Sequence, residues 1–421
     1  MQKQNNIPQL RFPEFIGEWE RKKLGDITFK TDKKNKQKEI LPVYSISNKF
    51  GFIPQSEQFD GIDSIERGYD TSLYKIIENN TFAYNPARIN VGSIGYNENL
   101  GRVIVSSLYV CFQTKENINA NFLSHFFTTS KFNNSVLTNG EGGVRIYLFY
   151  ENFSSISFSI PSLPEQKRIA SFFSVVDKKI DELKQKKNLL EQYKKGVMQK
   201  LFSQELRFKD ENGKKFPKWE KKRFGDIFSF RVTNSYSREN LNFNAGEIKN
   251  IHYGDIHTKF NSHFDITKEY VPFINSEIEL KRIAEDNYCK EGDLIIADAS
   301  EDYADVGKCI EIVNLKGEKV LAGLHTILAR PNKHKMSLGF NGHLMKSENI
   351  RLQIRTIAQG SKVLSISATR LSNCTLDIPC EKEQTRIANF ISALDDKIKH
   401  TDVQIEKMGV WKKGLLQKMF V

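Results

Sequence analysis

The sequence lacks any apolar run long enough to cross a membrane, since a spanning helix needs about 20 such residues. Its polar beginning, Met1–Asn6, has no apolar core of the kind found in secretory signals. The cysteines never form a CxxC pair; they are Cys111, Cys289, Cys309, Cys374 and Cys380. This spacing indicates neither a zinc knuckle nor a thioredoxin-type site and is typical of free thiols in a reducing compartment. We therefore expect a cytoplasmic protein without membrane association.

Motifs for catalysis are also scarce. No glycine-rich loop has the spacing that cradles nucleotide phosphates, and no acidic cluster has the spacing of a catalytic metal site. Asn85-Pro86 matches only half of the Asn-Pro-Pro-aromatic motif of amino-methyltransferases, because the second proline and the aromatic residue are missing. His252 and His257 have no partnering cysteines or acidic cluster, so we predict no metal site. An enzyme with its own methyltransferase or nuclease activity is therefore not favoured.

Positive charge is in excess. The 421 residues include 63 Lys and Arg against 51 Asp and Glu, a formal net charge of +12. This balance favours a polyanionic partner such as nucleic acid, although basic charge can also serve solubility.

A long segment occurs twice. Glu165–Phe172 returns as Glu383–Phe390 and Tyr193–Phe202 returns as Trp411–Phe420, both 218 positions later. A constant shift means that nothing is inserted within the segment, as in an uninterrupted helix, where each added residue rotates the rest by about 100°. A helix of roughly 38 residues would be about 57 Å long.

Each copy carries an apolar stripe in alternating steps of four and three residues, which is typical of a coiled coil. We predict that the two helices pair as an antiparallel coiled coil with pseudo-twofold symmetry; the alternative is two ordinary amphipathic helices. We also hypothesise that Lys194 and Lys412 set the register and that the seam opens toward Gly196 and Gly414, where a partner helix could enter. The predicted seam and partner positions are Ile180, Leu183, Leu190, Lys194, Val197, Ile398, Ile405, Met408, Lys412 and Leu415.

The repeat extends into two globular units. Leu10–Phe12 returns as Leu206–Phe208, and Trp19–Ile27 returns as Trp219–Ile227 at a shift of 200. Because the shift reaches 218 at the helices, we expect loops of the second unit to absorb the difference. Since the start of the chain resembles the linker after the first helix, the two chain ends should lie close together.

We predict an α+β fold of two tandem mixed α/β domains, each followed by a long helix. The predicted boundaries are 1–162 for the first domain, 163–203 for its helix, 204–380 for a linker and the second domain, and 381–421 for the second helix. Strands are predicted at Thr81–Tyr84, Val103–Val105, Asp293–Ala297 and Cys309–Val313, and helices at 121–137 and 341–358. An alternating strand before a proline closes each domain, at 156–160 and 374–378.

These motifs together resemble the specificity subunit of type I restriction-modification systems. The resemblance is carried by the closing Ile-Pro, the Glu-Gln-x-Arg-Ile-Ala that opens each helix and the Lys-Lys-Gly near its end. Trp-Glu followed by Gly-Asp-Ile, and the stretches Ile251–His257 and Glu291–Ala297, add to it. It covers essentially the whole chain.

The resemblance implies a division of labour. Each globular unit would be a target recognition domain that reads one half of a split double-stranded DNA sequence. The paired helices would fix the spacing of the halves and dock two modification (methyltransferase) subunits, which restriction (translocase-nuclease) subunits then join. The chain itself would perform no chemistry and bind no cofactor, because S-adenosylmethionine and ATP would belong to the partner subunits.

Candidate DNA contacts are side chains that pair with base edges or phosphates. In the first unit they come from a basic cluster, a loop after a strand and a glycine-rich turn, and are Lys30, Lys33, Lys34, Asn85, Arg88, Asn90 and Arg145. In the second unit they are His252, Tyr253, Lys259, Asp298, Ser300, Lys362 and Arg370. Solvated loops or plain turns would explain several of them equally well. A coiled-coil scaffold whose globular units bind protein is the competing function, because a coiled coil alone says nothing about DNA.

Overall fold

The computed structural model describes residues 6–59, 61–142, 146–278, 283–332 and 336–421. The chain forms two compact units. The first comprises Met1–Gln185 with Asp402–Val421, and the second comprises Lys186–Thr401. Each unit therefore takes part of both long helices.

The first unit contains ten strands and the beginning of a long helix among its described residues. In chain order its elements are β1 (Glu20–Lys23), α1 (Leu24–Ile27), β2 (Thr28–Thr31), β3 (Val43–Ser47), β4 (Gly51–Pro54), α2 (Gln55–Gln58), β5 (Lys75–Ile77), β6 (Thr81–Tyr84), β7 (Ile94–Asn97), β8 (Val103–Val105), β9 (Val110–Thr114), α3 (Ala120–Phe126), α4 (Ser130–Asn139), α5 (Tyr150–Ser155), β10 (Ser157–Ile160) and α6 (Leu163–Phe202). The helix α6 continues into the second unit.

The second unit repeats this order with more strands. Its elements are β11 (Glu220–Arg223), α7 (Phe224–Ile227), β12 (Phe228–Arg231), β13 (Leu241–Asn242), β14 (Lys249–Ile251), α8 (Tyr253–Thr258), β15 (His263–Asp265), β16 (Phe273–Ile274), β17 (Leu294–Ala297), β18 (Ala299–Ser300), β19 (Cys309–Asn314), β20 (Val320–Ala322), β21 (Thr326–Pro331), α9 (Phe340–Leu344), α10 (Glu348–Ile357), β22 (Leu364–Ser365), α11 (Ala368–Leu371), β23 (Thr375–Ile378) and α12 (Glu381–Met419). The predicted strands and both long helices are confirmed.

The two units share one sheet plan. The first unit has sheets in the order β2-β9-β6-β7 and β4-β3-β8-β5, and the second has β12-β21-β17-β19-β15 and β13-β16-β14-β20. The pairs β3–β8 and β14–β20 are both parallel. The strand β15, which runs parallel to β19, extends the second unit's sheet beyond the position equivalent to β7. The described part of the longer second unit has thirteen strands against ten, so it adds strands, β15 among them, as well as loops.

Each single helix predicted before the closing strand is in fact two helices, so these two predictions were wrong. In the first unit α3 ends where the Thr128 and Thr129 hydroxyls donate to the carbonyls of His125 and Phe126, both at 2.7 Å. Thr129 also caps α4, because its side chain accepts from the Phe132 amide at 3.2 Å. In the second unit Ser347 stands at the same place, between α9 and α10.

The duplicated Glu-Gln motif fastens each long helix to its domain. Glu165 is buried and accepts from Arg11 at 2.7 and 2.8 Å and from the Trp19 indole at 3.2 Å. Gln166 donates to the carbonyl of Pro161 at 2.9 Å, where the closing strand ends. These bonds fix the direction in which α6 leaves the first unit.

The second copy makes the same contacts. Glu383 accepts from Arg207 at 2.6 and 3.1 Å and from the Trp219 indole at 3.0 Å, and Gln384 donates to the Pro379 carbonyl at 2.9 Å. The residues of the motif therefore have a structural role in both units.

Both long helices contribute to each core. In the first unit Ile169 of α6 and Leu416 of α12 pack with Trp19 and Phe112, and in the second unit Leu201 and Ile387 pack with Phe224. None of the predicted seam positions is exposed.

The hypothesis that the seam opens toward Gly196 and Gly414 was wrong. Val197 and Leu201, which follow Gly196, and Leu416 and Met419, which follow Gly414, are buried in the cores. The helix ends are therefore already covered by the globular domains.

The two seam lysines have partners within their own units. Lys412 donates to Asp177 in the first unit, and Lys194 donates to Asp395 in the second. At the chain start, the Leu10 amide donates to the carbonyl of Lys418 at 3.0 Å, as the Leu206 amide does to that of Lys200 at 2.9 Å. The beginning of the chain thus meets the end of α12 as the linker meets the end of α6, which confirms the prediction of neighbouring ends.

Candidate nucleic-acid interface

A cleft of about 1380 Å³ lies in the first unit between the sheet region and the long helices. The loop that follows β6 contributes Asn90 to its wall, and the loop after β3 contributes Lys49. The helices supply Lys178, Lys184 and Lys413 together with Asp177 and Asp181, and Lys184 lies 2.9 Å from Asp181. The cleft therefore joins a predicted reading loop to cations that suit a phosphate backbone.

The loop after β6 is held by its own backbone. The Asn85 amide donates to the Ser93 carbonyl at 3.1 Å, and the Asn85 side chain accepts from the Ala87 amide at 3.0 Å. Gly92 closes the loop at φ +89°, a left-handed conformation that glycine adopts without strain. The side chain of Asn85 is thus used within the loop, whereas Arg88 is exposed at its tip.

The basic cluster of the first unit is partly neutralised. Lys30 lies 3.6 Å from Glu151 and Lys33 lies 3.1 Å from Glu78, while Lys34 is exposed. Such surface ion pairs contribute little to stability, so the lysine side chains can leave them to contact another anion. Arg145, the candidate of the glycine-rich turn, lies outside the described residues.

Tyr253 is the centre of an aromatic and histidine group in the second unit. Its ring centroid lies 4.7 Å from that of His252 and 5.2 Å from that of His325. His252 is buried and caps α8, since its Nδ1 accepts from the Gly254 amide at 3.1 Å. Burial, and to a smaller extent the nearby Arg238, lower the pKa of His252 to about 4. The structure therefore gives His252 a capping role as a neutral ring.

A buried carboxylate holds two cations beside this group. Asp255 accepts from Arg238 at 2.6 and 2.9 Å, and Lys259 lies 2.9 Å from it. Burial alone would raise the pKa of Asp255, but the hydrogen bonds from Arg238 and Lys259 hold it below its usual value. Because Arg238 and Lys259 remain about half exposed, they present fixed positive charge at the surface.

The loop after β17 reaches the same region. Asp298 lies 3.2 Å from Nδ1 of His325, and burial raises the pKa of the Asp298 carboxyl. Ser300 pairs with Leu364 in the β18–β22 ribbon, so the exposed Lys362 lies in the turn beside it. Arg370 instead donates to the Ile357 carbonyl at 3.1 Å in the α10–α11 region.

The two loops that carry candidate DNA contacts occupy equivalent places, because β6 and β17 hold the same position in the two sheets. Sequence reasoning missed three residues of these regions. Lys49 lines the cleft with Asn90, Arg238 pairs with Asp255, and His325 meets Asp298. The left-handed backbone of His325, at φ 54°, is rare for a residue other than glycine, but a single sequence gives no sign of it. The group formed by His263, His343 and Asp395 in the second unit was also missed.

Two stretches of the chain, residues 16–192 and 217–407, match the family described as the type I restriction modification DNA specificity domain. The chain belongs to the type I restriction-modification specificity-subunit family. It carries two tandem target recognition domains, one in each copy of the sequence repeat. This confirms the resemblance drawn from the duplicated motifs.

Two relatives from one organism support this assignment. The type I restriction enzyme MjaVIII specificity subunit of Methanocaldococcus jannaschii is 23% identical over 424 residues, covering 97% of this chain and 92% of that protein. The putative MjaX specificity subunit of the same organism is 32% identical over 133 residues, and this match spans only 31% of this chain and 30% of that protein.

Solved structures show the same fold. The S subunit of a type I restriction-modification system from M. genitalium superposes with a TM-score of 0.56 at 12% identity and covers 99% of each chain. A chain from a study of complex assembly and conformational transition of the type I system superposes with a TM-score of 0.58 at 14% identity, covering 95% of this chain and 97% of that chain.

Among the residues that the structure describes, no helix combines the length and apolar character needed to cross a membrane.

Proposed function

We propose that this chain is the non-catalytic DNA-recognition subunit of a type I restriction-modification complex in the cytoplasm, and that each unit reads one half of an asymmetric bipartite target. One observation carries the proposal. The two specificity domains share one sheet plan but carry different side chains after equivalent strands. Arg88 and Asn90 follow β6 in the first unit, whereas Asp298 follows β17 in the second. Similar frames with different loops suit two different half-sites.

Electrostatics supports double-stranded DNA as the ligand. The net charge is +12, and Lys49, Lys178 and Lys413 line one cleft with the reading loop of the first unit, beside Asp177 and Asp181. Lysines beside a loop that carries amide and guanidinium groups suit phosphate positioning combined with base reading. A scaffold that binds protein would not need this combination.

The proposal is tested with the chain in complex with its modification subunits on a duplex that carries both half-sites. If about six phosphates are contacted, affinity should fall by about 1,000-fold between roughly 50 and 200 mM salt. Arg88→Ala should relax discrimination in one half-site only, and the exposed Lys36→Ala should leave discrimination unchanged. Binding that ignores both half-site sequences would refute recognition, and methyl transfer by the isolated chain would refute the non-catalytic role.

We further propose that α6 and α12 form an antiparallel coiled coil that spaces the half-sites. Each unit supplies support of its own. Asp177 of α6 meets Lys412 of α12 in the first unit, and Lys194 of α6 meets Asp395 of α12 in the second. The covered seam positions in both helices agree with this pairing.

Two modification subunits would dock on the outer faces of these helices. Tyr193 of α6 and Trp411 of α12 occupy equivalent positions in the repeat and are 54% and 48% exposed. Exposed aromatic residues are typical anchors of protein interfaces. A surface that occurs twice suits two copies of one partner, which would carry S-adenosylmethionine. Restriction subunits, which would use ATP, would then join the complex.

Native mass spectrometry of the co-expressed complex tests this docking. Trp411→Glu should yield complexes with one modification subunit, and Tyr193→Glu combined with Trp411→Glu should yield none. Gln185→Glu, at an exposed position of the same helix, is the matched control and should keep two copies. Two copies in the double variant would show that the partner docks elsewhere.

A further inference from the structure

Three metal-binding side chains from distant parts of the sequence meet in the second unit. His263 lies on β15, His343 on α9 and Asp395 on α12. One ring nitrogen of each histidine and a carboxylate oxygen of Asp395 all lie within 4.8 Å of one another. Two imidazoles and a carboxylate are the donors of many zinc sites that keep one position for water.

A hydrogen bond fixes the position of the lone pair on His263, and His343 has one nitrogen without a partner. The Nε2–H of His263 donates to the carbonyl of Gly339 at 2.7 Å, and because a carbonyl can only accept, the neutral ring carries its lone pair on Nδ1. Histidines that bind metals usually anchor their other nitrogen on such a group. His343 is fully buried, its Nε2 lies 3.4 Å from the Ser392 hydroxyl, and its Nδ1 has no hydrogen-bond partner. An unpaired buried nitrogen is costly unless something binds it.

The first unit provides an internal comparison. His125 and Asp177 stand 218 positions before His343 and Asp395, so half of the arrangement is present there too. The strand β15 extends only the sheet of the second unit, past the position equivalent to β7. In the part of the chain that the structure describes, it is this extra strand that adds His263 to the duplicated pair.

We propose that His263, His343 and Asp395 bind a divalent transition-metal ion, with Zn²⁺ the best match to the donors. Lys194 now donates to Asp395, so the ion would take the place of an ammonium group on this carboxylate. The exchange is open to solvent, because the side chains of Lys194 and Asp395 are 16% and 40% exposed. Lys346, which donates to the Ser262 hydroxyl at 2.6 Å, and Glu311, 3.9 Å from Nε2 of His263, are the other nearby charges.

The bound ion would join the globular part of the second unit to its helix. It would link the extra strand β15 and the helix α9 to α12, at the place where Lys194 and Asp395 already meet. An ion that binds only the folded chain raises the thermal midpoint in proportion to the logarithm of its concentration. The proposal is independent of which DNA sequence the chain reads.

The test is metal titration of the purified full-length chain, or of its complex with modification subunits, with Zn²⁺ by calorimetry and Co²⁺ by visible absorption. We expect one ion per chain, a tetrahedral Co²⁺ spectrum and a raised Tm. His263→Ala, at a partly exposed site, should remove all three effects. Lys194→Gln should tighten binding, because it removes the competing ammonium group.

His125→Ala is the matched control, since it removes the equivalent histidine of the first unit and should leave one ion per chain. The variant Lys194→Gln also guards against misfolding as an explanation, because it predicts a gain and not a loss. The absence of saturable binding in both the native chain and Lys194→Gln would overturn the proposal. Undiminished one-to-one binding by His263→Ala would place the ion elsewhere and would overturn it as well.

Discussion

At the scale of single residues, the duplicated glutamates are the clearest case of one contact made twice. Glu383 has no exposed side-chain surface, and Arg207 and the Trp219 indole both donate to it. Removing one member of a buried ion pair leaves the other charge without compensation, which costs about 3–5 kcal/mol. Sequence repetition made this motif visible, but only the structure shows that it fastens the helix.

Glu383→Gln should therefore destabilise the second unit by about 3 kcal/mol, because it keeps the shape of the side chain and removes its charge. Urea unfolding followed by tryptophan fluorescence measures the loss. Glu381→Gln, in the same first turn but exposed, is the control and should change the unfolding free energy by about 0.5 kcal/mol or less. Equal effects of the two substitutions would contradict the role given to Glu383.

His252 provides a second prediction at this scale. Burial, then Arg238 and His325, lower its pKa to about 4, whereas Asp255 acts in the opposite direction. The unfolded chain therefore binds the proton more readily than the folded chain does between about pH 6.5 and 4. Stability from this group is complete above about pH 6.5 and is lost as the pH falls toward 4.

His252→Asn should flatten this part of the pH profile. Asparagine is a favoured N-cap residue, so the start of α8 keeps its hydrogen bond while the titrating ring is removed. The measurement is Tm between pH 5 and 7.5, where the difference between variant and native chain should shrink or reverse as the pH falls. An unchanged slope would mean that other groups cause the acid sensitivity.

The candidate DNA contacts show how far residue types can lead. Loops after apolar strands were correctly placed, because β6 and β17 end where their sequences predict. The roles of Asn85 and His252 could not be read in this way, since Asn85 closes its own loop and His252 caps a helix. Arg238 and His325 are 87 positions apart, and only the fold brings both of them near His252.

At the scale of elements, periodicity predicted the long helices well and the shorter ones less well. The stripes of α6 and α12 extend through many turns, so a single polar residue does not obscure them. The apolar pattern of 121–137 continues across the break between α3 and α4, so the pattern gives no sign that the helix is interrupted. The break depends on Thr128 and Thr129, whose hydroxyls compete for the helix carbonyls.

The ion pair between Asp177 and Lys412 permits a direct test of helix pairing in the first unit. Asp177→Lys places two like charges together and should cost about 1 kcal/mol, and adding Lys412→Asp should restore most of it. Thermal unfolding of the four chains of this double-mutant cycle measures the coupling. Lys184→Asp, an exposed charge change on α6, should not couple with Lys412→Asp. Additive effects of the swapped pair would argue against the contact.

At the scale of the whole molecule, the chain is a twofold sequence repeat in which each compact unit contains part of both long helices. The first unit contains the start of α6 and the end of α12, and the second contains the end of α6 and the start of α12. The sequence predicted this duplication because the shift is constant through the helices. It could not predict the extra strand β15. The shift between repeated motifs grows from 200 to 218 residues, which shows how much longer the second unit is but not what structure the added residues form.

The last prediction concerns the proposed ruler. Seven residues inserted in each helix where the chain passes between units, after Gln185 and after Thr401, keep the 3.5-residue stripe in register and leave the contacts within each unit intact. Each insertion lengthens its helix by about 10.5 Å. Because a base pair rises about 3.4 Å, the preferred spacing of the half-sites should grow by about three base pairs.

Methylation patterns of cells that carry the lengthened chain and its partners measure this spacing. The half-site sequences should stay the same, since the reading loops are untouched. The same seven residues inserted in the exposed turn at Asn212 are the control, because they add length outside the helices and should leave the spacing as it is. A lengthened helix pair with the original spacing would mean that something other than α6 and α12 sets the distance between the half-sites.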